Sequence, residues 1–245
     1  MTGGGHVRSA NAETRFSGQG PGVQTSDGCS VELYRRLPYL GEIDLLKSLL
    51  RPGMSVLELG CGTGRLTSVL LSLGAIVTAV DNSREMLAHA PAGARLVHSD
   101  IEALHLSGRF DLVLLASCMI NHFDGGVRAA FLRAAKAHVK ADGRFVLQRH
   151  DPSWLRSAQV GDVRQVGNFT VVVEAVRRSA GVVEMTLKYQ QADLAWTHSF
   201  AVVPLDEQDL HRELTNAGFG SLEWLDPARR WAGVSMTGRV EFSDG

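Results

Sequence analysis

Residues 56–67 read Val56-Leu57-Glu58-Leu59-Gly60-Cys61-Gly62-Thr63-Gly64-Arg65-Leu66-Thr67, and this stretch decides the fold. An apolar run that ends in alternating glycines and passes into an amphipathic segment reads as a strand, a tight turn and a helix. Glycines at such a junction remove Cβ atoms where a ligand lies against the backbone, and they allow dihedrals that only glycine adopts cheaply. A dinucleotide fingerprint spaces its glycines G-x-G-x-x-G, whereas here they stand at Gly60, Gly62 and Gly64, a spacing that disfavours a pyrophosphate. Glu58 sharpens the contrast, because a carboxylate there repels a pyrophosphate and attracts a cationic ligand group.

On either side of this stretch, short apolar runs alternate with amphipathic segments: Ser55–Leu59, helix 65–73, Ile76–Val80, helix 83–90, Arg95–His98, Phe110–Leu115, helix 125–139 and Arg144–Arg149. Strands rich in Val, Ile and Leu with helical crossovers between them predict a doubly wound α/β domain, its sheet covered on both faces. After Pro152 the period switches to two. Thr170–Arg178, Val182–Tyr189 and Leu194–Val203 are separated by Ser179-Ala180-Gly181 and Gln190-Gln191-Ala192-Asp193, which predicts a three-stranded antiparallel meander within an insertion over 160–203. A helix capped by Asp206 and a last strand pair, Phe219–Leu225 with Ala232–Phe242, complete the reading.

Acids at the strand ends define the ligand. Asp81 follows Ile76–Val80, where a carboxylate accepts both hydroxyls of a ribose, and Asp100 follows the next strand, where it can take an exocyclic purine amine. Ribose, purine and a cation near Glu58 together describe S-adenosylmethionine.

At this point the chain resembles the class I S-adenosylmethionine-dependent methyltransferases of small-molecule type. The resemblance rests on Glu58-x-Gly60-x-Gly62-x-Gly64, Val80-Asp81-x-Ser83-x-x-Met86-Leu87, Ser99-Asp100-Ile101 and Phe110-Asp111-Leu112-Val113, and it covers residues 54 to about 150 firmly. It implies a Rossmann-like seven-stranded sheet, mostly parallel with one antiparallel strand, carrying the antiparallel insertion after the fifth strand. It also implies that Glu58 and the loop Gly60, Cys61, Gly62 and Gly64 face the methionine part, and that Asp81 takes the ribose hydroxyls. Asn82 and Met86 would meet the ribose edge and adenine face, Asp100 and Ile101 the adenine, and Ala116 and Ser117 the floor beneath the sulfonium. Tyr34-Arg35-Arg36-Leu37-Pro38-Tyr39 looks like the N-terminal cap folded over the cofactor in many such enzymes.

Methyl transfer from a sulfonium is an in-line displacement, so catalysis comes mainly from holding the acceptor near the methyl group in a dry site. A hydroxyl or ammonium acceptor also benefits from a base of near-neutral pKa, for which histidine is the first candidate. Ligands of an open α/β sheet bind beyond the carboxyl ends of its strands, where His122 and His150 fall. His198 stands between Trp196 and Phe200 on one strand face, and reaches the same cleft if that face closes over it. His150 is the leading candidate, with His122 and His198 beside it, and Tyr34, Tyr39, Arg149, Trp154 and Trp196 are expected around the acceptor.

With 25 Lys+Arg against 26 Asp+Glu, the net charge of −1 gives no global field toward nucleic acid or anionic membrane. No apolar run approaches the roughly 18–20 residues of a membrane span, so no membrane partner is expected and the cytoplasm is the default address. The 3 cysteines of the 245 residues form no CxxC pair, and neither a disulfide framework nor a metal site follows. Residues 1–28, glycine-rich with scattered apolar residues, read as a disordered tail before a single domain over 29–245. The expected activity is transfer from S-adenosylmethionine, with S-adenosylhomocysteine as product, to an N, O or C nucleophile of a small organic molecule, by a monomer or homodimer. The alternatives are a cofactor-binding cyclase or regulator that transfers no methyl group, and an NAD(P)-dependent oxidoreductase.

Overall fold

The computed structural model describes residues 15–236. In chain order these form β1 (Ser17–Gln19), α1 (Val31–Arg36), β2 (Ser55–Leu59), α2 (Arg65–Ser72), β3 (Ile76–Asp81), α3 (Arg84–Leu87), β4 (Arg95–His98), β5 (Phe110–Leu115) and α4 (Gly125–His138). They continue as β6 (Val139–Gln148), α5 (Pro152–Ser157), β7 (Val163–Val166), β8 (Phe169–Ser179), β9 (Val182–Gln191), β10 (Leu194–Val202), α6 (Glu207–Asn216), β11 (Leu222–Trp224) and β12 (Trp231–Ser235). Polar residues start the helices: Asp206, expected as a cap, and Ser30, Asp124 and Asp151 each accept backbone N–H groups of the first turn.

The strands divide into two sheets. A seven-stranded sheet has the order β11-β12-β6-β5-β2-β3-β4, parallel throughout except for β12, which runs antiparallel to both neighbours. Alternate side chains of its buried strands serve two cores. Leu57, Leu59, Val113, Leu115, Phe145 and Leu147 pack under α4 and α6. Val56, Leu112, Leu114 and Val146 pack under α2 together with Ile43 and Leu46. The chain reverses direction of winding between β2 and β5, so the carboxyl ends of these strands flank the crevice where ligands of such sheets bind.

The second sheet has five strands in the order β1-β10-β9-β8-β7, not the three expected. The additions come from its two edges: Val163–Val166 forms a short hairpin with β8, and Ser17–Gln19 pairs with Thr197–Ser199 of β10. Neither was legible, because a strand of three or four residues shows too little alternation to stand out. The inner face of this sheet carries Phe169, Val171, Val183, Met185, Leu187 and Trp196, packed on Leu33 of α1 and Leu155 of α5.

The expected tail therefore needs correction. Its residues 1–14 lie outside the described residues, but residues 15–28 lie on the fold. Pro21 presents its carbonyl to both the Trp196 Nε1–H at 2.9 Å and the Ser30 hydroxyl at 2.9 Å, and the Phe16 ring stacks on His122 at 5.3 Å. A chain beginning at Cys29 is expected to lose about 2 kcal/mol or more, a drop of roughly 4–8 °C in Tm, through these bonds and the exposed ring. Differential scanning calorimetry checks it, and an unchanged Tm would mean that the segment adds nothing to stability. No helix among the described residues is long and apolar enough to cross a membrane.

Candidate active site

The glycine turn after β2 is fixed by its neighbour strand. Gly60 and Cys61 both donate to the Val80 carbonyl at 2.9 Å, and Gly62 donates to Asp81 Oδ2 at 2.7 Å. The other oxygen of Asp81 accepts from Ser83 N–H at 2.9 Å. Gly60, Gly62 and Gly64 have φ of 71°, 56° and 79°, left-handed values that explain all three glycines. Space separates their roles. A Cβ at Gly64 would strike Pro91 at 2.4 Å and one at Gly60 would strike the Met119 sulfur at 2.4 Å, but one at Gly62 meets only Tyr34 Cδ1 at 3.9 Å. Beside the turn lies a cavity of about 410 Å³ lined by Tyr34, Thr63, Gly64, Arg65 and Ser68. An open face over Gly62, with a carboxylate at its side, fits a nucleoside with a charged tail.

The acids behind the turn suit that ligand too. Glu58 is buried on β2 and accepts from the Thr67 hydroxyl at 2.6 Å, while burial pushes its carboxyl up to about 7. Burial also raises Asp81, with a smaller opposite effect from its two backbone N–H bonds. Asn82, on the exposed rim, donates to Asp100 Oδ1 at 3.0 Å, which ties the residue after the expected ribose acid to the expected adenine acid. Ile101 and Ala116 are buried beside them. Ser117 and Cys118 adopt φ of 55° and 56°, a strained pair that turns the chain sharply after β5, and Gln148 Oε1 accepts Ser117 N–H at 2.9 Å. Met86, expected at the ribose edge, is only 3% exposed and packs inward from α3.

Glu58 gives a stability test. Its pKa rises from 4.5 when unfolded to about 7 when folded, so its stabilising contribution is complete below about 4.5 and is lost as pH passes through 7. Glu58→Gln keeps a partner for Thr67 and removes the titration. Compared with the wild type, this variant is expected to gain stability on the order of 2 kcal/mol between pH 5 and pH 8. Urea unfolding at the two pH values reads it, and parallel curves would show that Glu58 does not titrate in this range.

Across the crevice, the end of β6 brings His150 against the antiparallel sheet. Its ring lies 6.2 Å from Phe200, nearly parallel, and 5.8 Å from Trp154. Desolvation, and secondarily the Arg164 charge, push its pKa down to about 4. The backbone N–H of His150 donates to Oδ1 of Asn121 at 2.8 Å, and Asn121 Nδ2 donates to the Val203 carbonyl at 2.8 Å. Fully buried Asn121 thus joins the loop after β5, the end of β6 and the end of β10. His198 lies close by, its ring 5.4 Å from Phe200 and its Nε2 3.3 Å from the Asp27 carbonyl and 3.7 Å from the Cys29 thiol. That thiol in turn donates to the Tyr34 hydroxyl at 3.4 Å. Desolvation lowers the pKa of His198 as well.

Other expected residues are engaged elsewhere. His122 is sandwiched between Phe16 and Phe123, with its Nδ1 accepting Asp124 N–H at 3.1 Å, so its ring is part of the packing. Arg149 is buried and donates to the carbonyls of Arg229 and Leu205 at 2.8 and 2.6 Å, with its guanidinium over Trp224 at 4.5 Å. It ties the end of β6 to two loops instead of facing an acceptor, as an alternating strand demands of the neighbour of His150. Tyr39 donates to Asp44 at 2.8 Å and packs on the core under α2, and Trp196 is only 1% exposed inside the second sheet. Three residues beside the crevice were not foreseen: Cys29, Met119 and Asn121. Of these, only Asn121 left a signal, a polar residue inside the apolar turn Met119-Ile120-Asn121.

Residues 56–143 match a family model described as a methyltransferase domain. The chain is 33% identical over 109 residues to a ubiquinone biosynthesis O-methyltransferase of Bradyrhizobium diazoefficiens, covering 42% of each chain. It is 31% identical over 147 residues to a cypemycin N-terminal methyltransferase of a Streptomyces species, covering 50% of this chain and 58% of that one. It thus spans about half the length of the curated relatives it matches. Among solved structures, an S-adenosylmethionine-dependent methyltransferase from Clostridium acetobutylicum superimposes with a TM-score of 0.66 at 18% identity, over 84% of this chain and 95% of the other, a likeness of fold.

Proposed function

We propose that this chain, whose residues 56–143 match a methyltransferase-domain model, is a class I S-adenosylmethionine-dependent methyltransferase that moves a methyl group to an N, O or C nucleophile of a small organic molecule held between the two sheets. The observation that carries the reading is the glycine turn locked onto Asp81, open at Gly62 and backed by buried Glu58. The relatives named as O- and N-methyltransferases support the same class of reaction. The protein is taken to work in the cytoplasm as a monomer or homodimer.

The cofactor supplies an electrophilic methyl group on a sulfonium, whose leaving group is a neutral thioether. Asp81 would hold the ribose hydroxyls, Asn82, Asp100 and Ile101 the adenine, and the Gly60–Gly64 turn with Glu58 the charged tail. Ala116 and Ser117 form the floor, and Met119 limits the space over Gly60. Opposite them, His150, Phe200 and Trp154 exclude water and leave an imidazole nitrogen to receive a proton. Its low pKa keeps that nitrogen neutral, so it accepts only as the new bond to the acceptor forms and the acceptor's own proton becomes strongly acidic. With an amine already in its free-base form the same nitrogen serves to orient the lone pair.

Isothermal calorimetry with S-adenosylhomocysteine, with NAD as competitor, tests the reading. Binding of the first and no displacement by the second is expected. Tighter binding of NAD would overturn it.

A further inference from the structure

On the inner face of the antiparallel sheet, Arg164 has neither an acidic partner nor a backbone carbonyl to hold it among the described residues. Arg164 on β7 stands opposite Val171 of β8, which stands opposite Tyr189 of β9, which stands opposite Trp196 of β10. Directly paired residues share a face, so these four form one row across the side that faces the crevice. The rest of that face is nearly all apolar, and its other arginine, Arg178, is engaged: it donates to the carbonyls of Leu155 and Ala158 at 3.0 and 2.7 Å and so holds α5. Arg164 is different. Its guanidinium lies over the Trp154 ring at 5.2 Å, its charge acts on the nearby Tyr189 hydroxyl, and among the described residues no carboxylate pairs with it.

Its position along the crevice gives it a use. Phe200, His150, Trp154 and Arg164 follow one another at ring or guanidinium separations of 6.2, 5.8 and 5.2 Å. An acceptor lying along these rings with its nucleophile at His150 would extend its far end toward Arg164. A guanidinium 5.2 Å from an indole, with no carboxylate paired to it among the described residues, offers its planar fork for two parallel bonds, the geometry a carboxylate requires.

We propose that Arg164 is a specificity residue that selects acceptors carrying a carboxylate at the end remote from the methylated atom. This rests on the methyltransferase reading above and goes further, to the charge of the substrate. An exposed arginine on a surface indole is the bland alternative, and the two differ in what a small anion does. The probes are benzoate and benzamide, alike in shape and different in charge, titrated into full-length protein already saturated with S-adenosylhomocysteine. Wild type is expected to bind benzoate about 10-fold or more tighter than benzamide. Arg164→Gln is expected to weaken benzoate by a similar factor and leave benzamide and S-adenosylhomocysteine unchanged. Equal affinity for the two probes, undiminished benzoate binding by the variant, or no benzoate binding by wild type overturns the proposal. Failure to bind S-adenosylhomocysteine in the first step would instead strike the methyltransferase reading, so the two failures are told apart.

Discussion

Replacing His150 by alanine is expected to slow methyl transfer to a hydroxyl acceptor by about 10²–10⁴-fold while cofactor affinity stays the same. The expectation follows from how the ring is held. Its backbone is fixed by Asn121, its faces are bounded by Phe200 and Trp154, and no side chain among the described residues bonds its nitrogens. A ring with pKa near 4 is neutral from about pH 5 upward, so the wild-type rate should be flat from pH 6 to 9 and fall only as the imidazole protonates in acid. Single-turnover transfer across that pH range measures both the loss and the profile. A full rate in His150→Ala would remove base catalysis and leave positioning as the mechanism. His198→Ala should act mostly on stability, because its ring is tied to the Asp27 carbonyl and packed on Phe200.

Asp81→Ala is expected to weaken S-adenosylhomocysteine binding by about 3 kcal/mol, on the order of 100-fold. Two effects combine there. The variant lacks the proposed acceptor for the ribose hydroxyls, and it also releases the Gly62 and Ser83 N–H groups that the carboxylate now holds. Asp81→Asn separates them poorly, since its amide would turn a donor toward one of those N–H groups. Calorimetry gives the affinity, and a thermal melt of the unliganded variant shows how much of the loss lies in the turn. Unchanged affinity would remove Asp81 from the nucleoside site.

The parallel half was legible because its signals are local. Glu58, the three glycines and Asp81 lie within a few residues of the strand ends that place them, and nearly unbroken apolar runs in β2, β3 and β5 mark strands buried on both faces. The acceptor side is built from contacts between distant segments. Nothing near Arg149 announces that its side chain turns away to Leu205 and Arg229 while its neighbour His150 faces the crevice, because the register of β6 was not fixed at its end. Cys29 and Phe16 are set in place by β10, which follows them by well over a hundred residues, and composition alone assigned them to a tail.

That pairing has a consequence for how the chain reaches its native state. Ser17 of β1 meets Ser199 of β10, so β1 finds its partner only after β2 to β9 have been made. Closing a loop of that length carries an entropic cost that short hairpins such as β8–β9 avoid, and contacts of high sequence separation form late. The parallel sheet from β2 to β6 and the β8–β9–β10 meander can therefore assemble while the N-terminal segment is still free. The segment that places Asp27 and Cys29 against His198 docks only once β10 is in place, and until it does the crevice stays open on that side. On the proposed function, this wall of the crevice closes after the turn that would hold the nucleoside has formed, so a partly folded chain would bind its cofactor before it could exclude water from it.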